Sequence, residues 1–277
     1  MNNASPHSRP CVTQQSFHIL GMGLRRLVRP GSAASLAFCW TSFAVHAQPV
    51  ALTDKLVGDV GGAAYSTQSL IRGKTTNTSV LPYGYVDYGR FFARVDTLGL
   101  KVLPLGNGYL ELAGRISQDG WRANTPALAG LTDRKTSVPL GVGSVQKTAY
   151  GAFFVNAFVD ANQSRGTLLE ASYALEFKLG DWSIYPQLGL EYTNAKYNRY
   201  FYGVSAAESA ASGNAAYSPG SATTPVVGLA ADIPLGDPWV LSMQLRHRWL
   251  ADGIGQSPLV NRKSQNTGFI AVSYRFK

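Results

Sequence analysis

The stretch at residues 239–249 reads WVLSMQLRHRW, and its side chains alternate between two kinds. One face carries Trp239, Leu241, Met243, Leu245, His247 and Trp249, and the other carries Ser242, Gln244, Arg246 and Arg248. A period of two is that of a β-strand, and this strand is about twice as long as the roughly 5–6 residues usual in soluble proteins. Because aromatic rings stand at both ends, the stretch predicts a membrane-spanning strand with one face toward lipid and one toward a polar interior.

The same alternation recurs at residues 110–117, 169–178, 182–193 and 270–276. A soluble β-sandwich would also alternate, but the length of these stretches and the aromatic residues near their ends favour a transmembrane antiparallel β-barrel. We predict an all-β protein with about 12 strands, because single-chain bacterial barrels have an even number. The segment 90–104 is the least regular. If it is one strand, another boundary must also be wrong, because an even count is expected, and the alternative count is 10. The predicted strands lie near 56–66, 80–88, 90–96, 99–104, 107–118, 136–147, 150–161, 165–178, 182–194, 222–235, 238–250 and 265–277.

The predicted connections are of two lengths. Short turns lie at 105–108, 179–181 and 235–238, whereas long polar loops lie at 67–79, 119–135, 195–221 and 251–264. Bacterial barrels have short periplasmic turns and long outer loops, which predicts the outer membrane of a Gram-negative bacterium. Charged residues make up only 15% of the 277 residues and hydrophobic ones 45%, yet no long apolar run follows the N-terminal region, which argues against a helical membrane protein.

Residues 1–47 have the features of a targeting sequence. Arg25, Arg26 and Arg29 precede an apolar stretch at 33–45, and Val45-His46-Ala47 is a small-residue cleavage site. We therefore expect cleavage between Ala47 and Gln48, which leaves residues 48–277 as the barrel. The polar segment before Met22 is long for a signal sequence, so Met22 is a candidate for the true start.

Few residues in the predicted mature chain suit catalysis or metal binding. Both cysteines, Cys11 and Cys39, precede the cleavage site, and His247 is the only histidine after it. A zinc site is therefore not expected, and no cofactor or nucleic-acid site is predicted. The loop carboxylates of Asp133, Glu208 and Asp252 do not have the spacing of a known calcium loop.

The predicted inward face of the barrel carries nearly balanced charge. Its acids are Asp59, Asp87, Asp96, Glu111, Asp160, Glu170, Glu176, Glu191 and Asp232, and its bases are Arg94, Lys101, Arg115, Lys178, Arg246, Arg248 and Arg275. These charges can pair across a narrow interior, which favours a filled lumen over a wide pore.

The surplus of positive charge is predicted to lie on loops and rims. The residues concerned are Arg72, Lys74, Arg122, Arg134, Lys135, Lys196, Arg199, Arg262 and Lys263. Such a basic outer surface suits the phosphates of lipopolysaccharide, and it is equally consistent with a simply solvated rim. Outer-membrane lipid and lipopolysaccharide are the expected partners on this side.

Two loop segments carry a family resemblance. The segment that contains Tyr202-Gly203-Val204-Ser205, Glu208-Ser209 and Ser212-Gly213, together with the later Ser257-Pro258, resembles the loops of the MltA-interacting protein (MipA/OmpV) family. The strand that begins at Leu81-Pro82 and the segment Leu131-Thr132-Asp133-Arg134 also fit the family. One departure is Lys277, which follows the aromatic residue that usually ends such barrels.

The resemblance implies an outer-membrane scaffold that brings a peptidoglycan lytic transglycosylase together with a bifunctional penicillin-binding protein. Other members are described as porin-like or adhesin-like, so a narrow channel or an adhesin is the alternative. A lipid A-modifying enzyme is the third possibility, for which His247 would need Asp252 and Ser257 as partners. We expect no enzymatic activity, because an imidazole near the membrane interface is a common amphipathic filler.

The first prediction concerns processing. The protein isolated from outer membranes should begin at Gln48, because the small-residue site ends at Ala47. N-terminal sequencing of the membrane fraction measures this directly. A mature N-terminus upstream of Arg25 would contradict the assignment of residues 1–47 as a signal region.

Overall fold

A computed structural model of the protein describes residues 51–277, so the predictions for Met22, Ala47 and Gln48 lie outside the described residues. Over this range twelve antiparallel strands form one closed barrel. The strands are β1 (Thr53–Thr67), β2 (Asn77–Gly89), β3 (Phe91–Arg94), β4 (Thr97–Leu105), β5 (Gly108–Arg115), β6 (Pro139–Thr148), β7 (Gly151–Asp160), β8 (Thr167–Leu175 and Phe177–Leu179, on either side of Glu176), β9 (Trp182–Thr193), β10 (Ala222–Gly236), β11 (Trp239–Trp249) and β12 (Ser264–Phe276). The prediction of about 12 strands is confirmed.

Each strand pairs with the next along the chain, and β12 pairs with β1 to close the barrel. The closing ladder runs from Phe276 opposite Gly58 to Thr267 opposite Thr67. Closure matters in a bilayer, because lipid offers no hydrogen-bond partners to an open sheet edge. No helix within residues 51–277 is long and apolar enough to cross a membrane.

The alternation of side chains along the strands separates a lipid face from an inner face. In β12, Ile270 and Val272 are 58% and 46% exposed, whereas Ala271 and Ser273 between them are almost completely buried. Leu188 of β9 is 67% exposed, and Glu191 of the same strand forms ion pairs inside the barrel. The predicted facing of these strands is therefore confirmed.

Exposed aromatic residues gather at the end of the barrel that has the short turns. Trp239 packs edge-on against Tyr274, and Tyr274 packs against Phe276. Tyr88, Phe91, Tyr150, Phe153, Phe177 and Trp182 are also exposed near this end. Such rings prefer the membrane interface, where the apolar ring and its polar edge are both accommodated. At the opposite end of β11, Trp249 packs against the ring of His247 at 4.6 Å between centroids.

The hairpin of β3 and β4 is much shorter than its neighbours. Its turn packs Val95, at a φ of 55°, against the inner-face cluster of Ala63, Tyr83 and Ala271. The turn of the hairpin therefore points toward the lumen, and the two strands do not extend to the level of the long loops. This explains why residues 90–104 showed the weakest strand pattern. The neighbouring strand β5 ends at Arg115, opposite Thr97, and not at residue 118 as predicted.

The four predicted long loops all lie at one end of the barrel, and three of them contain helical segments. These are a 3-10 turn (Pro126–Leu128), α1 (Ala195–Tyr202), α2 (Ala206–Ser212) and α3 (Asp252–Gly255). The opposite end carries the short turns, so the loops face outward and the turns face the periplasm.

The second prediction tests the facing of β9 with two adjacent positions. Leu188→Arg should sharply reduce the amount of assembled barrel, because an arginine on the lipid face at mid-membrane costs about 2–4 kcal/mol. Gln187→Arg, whose wild-type side chain accepts a hydrogen bond from Gln244 on the inner face, should assemble almost normally. Heat-modifiable migration of outer-membrane protein on gels measures both. Equal assembly of the two variants would show that the register is wrong.

Candidate functional site

The outer loops do not hang free but fold into a cap with its own apolar core. The core contains one or more residues from each of the four long loops: Ile71, Trp121, Leu128, Leu131, Val204 and Leu259. Three short bridges reinforce the cap: Ile71 to Val260, Trp121 to Arg134 and Val204 to Tyr217. Since loops of an open porin would leave the mouth of the barrel free, this cap is the first feature that bears on function.

Helix α1 reaches from the cap onto the inner wall of the barrel. The side chain of Asn194 accepts a hydrogen bond from the backbone N–H of Tyr197, which starts the helix. Tyr197 and Phe201 then pack against Phe158 and Leu168, which come from the upper inner face of two strands. The buried Phe201 therefore fills the space beneath the cap with apolar side chain.

Helix α2 is held by a buried ion pair. Ser205 and Glu208 form a reciprocal capping box at its N-terminus. The Glu208 carboxylate also accepts hydrogen bonds from the backbone N–H of Thr132 and from Arg134 Nη2, at 3.1 and 2.8 Å. Arg134 lies over the rings of Trp121 and Tyr200. The pair thus connects two long loops, and Arg134 is buried here instead of lying on the basic rim as predicted.

The ionisation of Glu208 follows from these contacts. Burial alone would raise its pKa, but hydrogen bonds from the Ser205 backbone and from Arg134 lower it to about 2. A carboxyl group with a lowered pKa stabilises the folded state above its unfolded value, and that contribution is lost as the pH falls through the folded value. The cap should therefore be stable at neutral pH and weaken between about pH 4 and pH 2.

Below the cap, the lumen is lined by ion pairs that join neighbouring or nearby strands. Arg94 contacts Glu111 through two bonds of 2.8 and 2.9 Å, and Arg115 forms a similar fork with Glu170. Glu191 accepts from both Arg246 and Arg248. All seven predicted inner bases pair with acids; the remaining pairs are Arg94–Asp87, Lys101–Asp87, Arg115–Asp96, Lys178–Glu176, Arg275–Asp59 and Arg275–Asp232. The prediction of a charge-paired interior is confirmed.

Two inner-face residues have contacts besides, or in place of, the predicted ion pairs. Among residues 51–277 Asp160 has no ion-pair partner. Its carboxylate accepts from the Val138 and Ser164 backbone N–H groups and so organises the loop ends at the top of β7. Arg248 pairs with Glu191 and also contacts the Tyr202 hydroxyl, which connects the lumen to the cap. Between the ion pairs a polar cavity of about 250 Å³ remains.

Comparison with known proteins identifies the family of this chain. The profile of the family described as MltA-interacting protein MipA matches residues 60–276. The chain belongs to the MipA family. The outer membrane protein YiaT of Escherichia coli is 30% identical over 219 residues, which cover 78% of this chain and 89% of that protein.

Two further relatives are more distant. Outer membrane protein OmpV of Vibrio cholerae is 27% identical over 226 residues, covering 78% of this chain and 84% of its own length. The MltA-interacting protein of Escherichia coli is 26% identical over 147 residues, which cover 53% of this chain and 59% of that protein. Together with the closed barrel, these relatives show that this family member is an outer-membrane protein.

The loop residues that carry the family resemblance come together in the cap. The Tyr202 carbonyl accepts from Ser257 Oγ at 2.7 Å, and the Gly203 carbonyl accepts from Arg134. Val204 pairs with Tyr217. The other motif residues lie beside these: Ser209 donates to the Asn214 carbonyl, Ser212 accepts from Asn214, Gly213 ends α2 at a φ of 73°, and Pro258 follows Ser257. Each contact described here holds the cap together.

The sequence did not single out Trp121 or Asp119 as parts of this site. Trp121 Nε1 donates to the Phe201 carbonyl at 3.1 Å, and Asp119 accepts from Ser137 and from the Tyr197 hydroxyl. Both lie in a polar loop without a periodic pattern. The one signal in the sequence that this loop folds was a tryptophan in an otherwise polar outer loop.

His247 does not meet the partners that a hydrolase would require. Its Nδ1 lies 2.6 Å from Asn266 Oδ1 at the upper end of β11, next to Trp249. Ser257 is buried in the cap, where its hydroxyl donates to the Tyr202 carbonyl and accepts from the Leu259 N–H. These contacts favour an interfacial role for His247 and a structural one for Ser257.

The third prediction concerns the pair that holds α2. Glu208→Gln should loosen the cap at neutral pH, so that trypsin cleaves at Lys196 or Arg199 much faster than in the wild type. Glu176→Gln, which removes an exposed acid at the opposite end, is the matched control. In the wild type, pepsin cleavage of the cap should rise as the pH falls from 4 to 2. A cap that remains equally resistant in Glu208→Gln would contradict the role of this pair.

Proposed function

We propose that this protein is a non-enzymatic scaffold of the outer membrane that does not conduct solutes and holds peptidoglycan-remodelling enzymes at its periplasmic end. The observation that carries the proposal is the closed outer mouth. The cap, with Phe201 beneath it, covers the end that a porin leaves open, and ion pairs line the lumen below. A scaffold requires no aqueous path, whereas a channel does.

The choice of partner rests on the family. One relative is named MltA-interacting protein, and the resemblance implies a role that joins a lytic transglycosylase to a bifunctional penicillin-binding protein. Such enzymes would meet this barrel on the periplasmic side, where residues 51–277 offer short turns at 106–107, 149–150, 180–181 and 237–238. Lys277 pairs with Asp237 on this side, which makes the last turn part of the surface that is available.

The absence of enzymatic activity is part of the same proposal. His247 and Ser257, which a lipid A-modifying enzyme would have to combine, have separate structural partners. The relatives are named as outer-membrane or interacting proteins, not as enzymes. Both observations support a role in organising the envelope.

The fourth prediction tests the scaffold. A photo-crosslinking side chain introduced at Ala149 or at Asp181, on two periplasmic turns, should form adducts with the host's lytic transglycosylase and penicillin-binding protein in intact cells. The same side chain at Ala210, on the exposed face of α2, is the control and should form neither. Mass spectrometry of the adducts measures the outcome. Adducts with these enzymes only at Ala210, or at no position, would contradict the proposal.

The channel alternative is tested with the same purified protein in planar bilayers. Ion pairs in the lumen and the cap above it should prevent steady conductance of porin size. A steady conductance whose ion selectivity changes in Arg246→Glu would identify a channel instead.

A further inference from the structure

The barrel wall has a gap above the β3–β4 hairpin. Strand β2 pairs with β1 along its whole length, but β3 begins only opposite Tyr88 and ends opposite Tyr85. The last bond on this side joins the Val95 N–H to the Gly84 carbonyl at 2.7 Å. Above it, residues 77–83 of β2 are paired on one edge only.

The free edge of β2 exposes particular backbone groups. In an antiparallel strand the N–H and C=O of one residue point to the same side. Because Gly84 faces β3, the groups of Pro82, Val80 and Thr78 face the gap. Pro82 has no N–H, which is the reason that proline is tolerated on an edge. The remaining groups on this side have no hydrogen-bond partner among residues 51–277, and Val80 is 80% exposed.

A free edge of this kind has to be covered within a membrane. Lipid hydrocarbon cannot accept or donate hydrogen bonds, and open sheet edges facing it do not persist. The gap lies on the side of the barrel that carries the long loops, beyond the hairpin turn, and Ile116, which follows the end of β5, is 60% exposed. Its natural occupant is therefore an outer-leaflet molecule with both apolar chains and hydrogen-bonding groups.

Basic residues lie on the two loops that border the gap. Arg72 and Lys74 lie on the loop that leads into β2, and Arg122 lies on the loop that follows β5. The two loops meet here, because Lys74 Nζ bonds to Asn124 Oδ1 and the backbone at Gly73 lies against Thr125. None of these three bases forms an ion pair within residues 51–277.

The acid that borders these bases is Asp133. Its Oδ1 accepts from the backbone N–H of Ala123 at 2.7 Å, next to Arg122. Because this one acid stands beside three bases, the charge at the mouth of the gap is net positive. The site therefore combines positive charge at the interface, backbone donors and acceptors just below it, and apolar side chains deeper in the wall.

We propose that this gap binds one molecule of lipopolysaccharide through its lipid A. The phosphates would contact Arg72, Lys74 and Arg122. The amide-linked hydroxyacyl groups, which both donate and accept hydrogen bonds, would meet the free edge at Val80 and Pro82. An ordinary phospholipid has a phosphate and ester carbonyls but no amide donor, so it matches the edge less well. The site is separate from the periplasmic turns and does not depend on the proposed scaffold role.

The fifth prediction tests the phosphate contacts. The triple variant Arg72→Gln, Lys74→Gln, Arg122→Gln should bind purified lipopolysaccharide roughly a hundredfold more weakly, since each basic residue near an anionic lipid contributes about a fivefold gain. The control variant Lys135→Gln, Lys196→Gln, Arg199→Gln removes the same charge from other exposed loop positions and should bind normally. Native mass spectrometry of the detergent-solubilised barrels measures retained lipid, and heat-modifiable migration verifies folding. Equal losses in both variants would show non-specific attraction and overturn the site.

The free edge is tested in native membranes by labelling. Cys11 and Cys39 both precede the predicted cleavage site, so Val80→Cys can be labelled alone with a photoreactive group. It should form lipopolysaccharide adducts several-fold more often than Val155→Cys, a lipid-facing position on a strand that is paired on both sides. Competition by dephosphorylated lipid A or by phosphatidylglycerol should be weak. Equal labelling at both positions, or an adduct to a protein strand at Val80, would overturn the proposal.

Discussion

Backbone groups that cross the hydrocarbon core must find their hydrogen-bond partners within the protein, because lipid supplies none. In this chain that constraint is met by closing β12 onto β1, with Phe276 opposite Gly58. Closure and a period of two together force one set of side chains toward lipid and the next toward the lumen. The apolar outer face, the charged interior and the position of the loops all follow from it. Beyond Gly84 the pairing of β2 stops on one side, and for the same reason a ligand is expected there.

The interior shows how a narrow barrel accommodates charge. Each inner base has an acid within reach, and the forked Arg94–Glu111 contact illustrates the geometry. Buried ion pairs add little net stability compared with apolar packing, but leaving one partner alone is costly. The paired side chains therefore occupy the lumen and keep it polar and nearly neutral. Arg248 connects these inner side chains to the cap, since it contacts both Glu191 and Tyr202.

The cap and the barrel divide the molecule between two environments. Outside, four loops share an apolar core and the Arg134–Glu208 pair, so they form a defined surface and not a flexible fringe. In the periplasm only short turns are present within residues 51–277. The two proposals place the partners on opposite sides of the membrane, with lipid A near the outer rim and enzymes at the periplasmic turns.

The sequence by itself determined the barrel, its facing and the balance of inner charges, because a period of two makes each strand residue's side predictable from its neighbours. The alternation placed Arg246 and Glu191 on the inner face, where they form an ion pair. Only the tertiary structure decided which loop residues are buried. Arg134 was expected on the basic rim, yet it lies against Trp121 and Glu208, since the packing of irregular loops depends on contacts far apart in the chain. The same holds for Pro82, which the sequence marked only as part of a family strand. Its position on an unpaired edge became visible when the β3–β4 hairpin was found to stop at Val95, because strand pairing is a property of neighbours that no single segment contains.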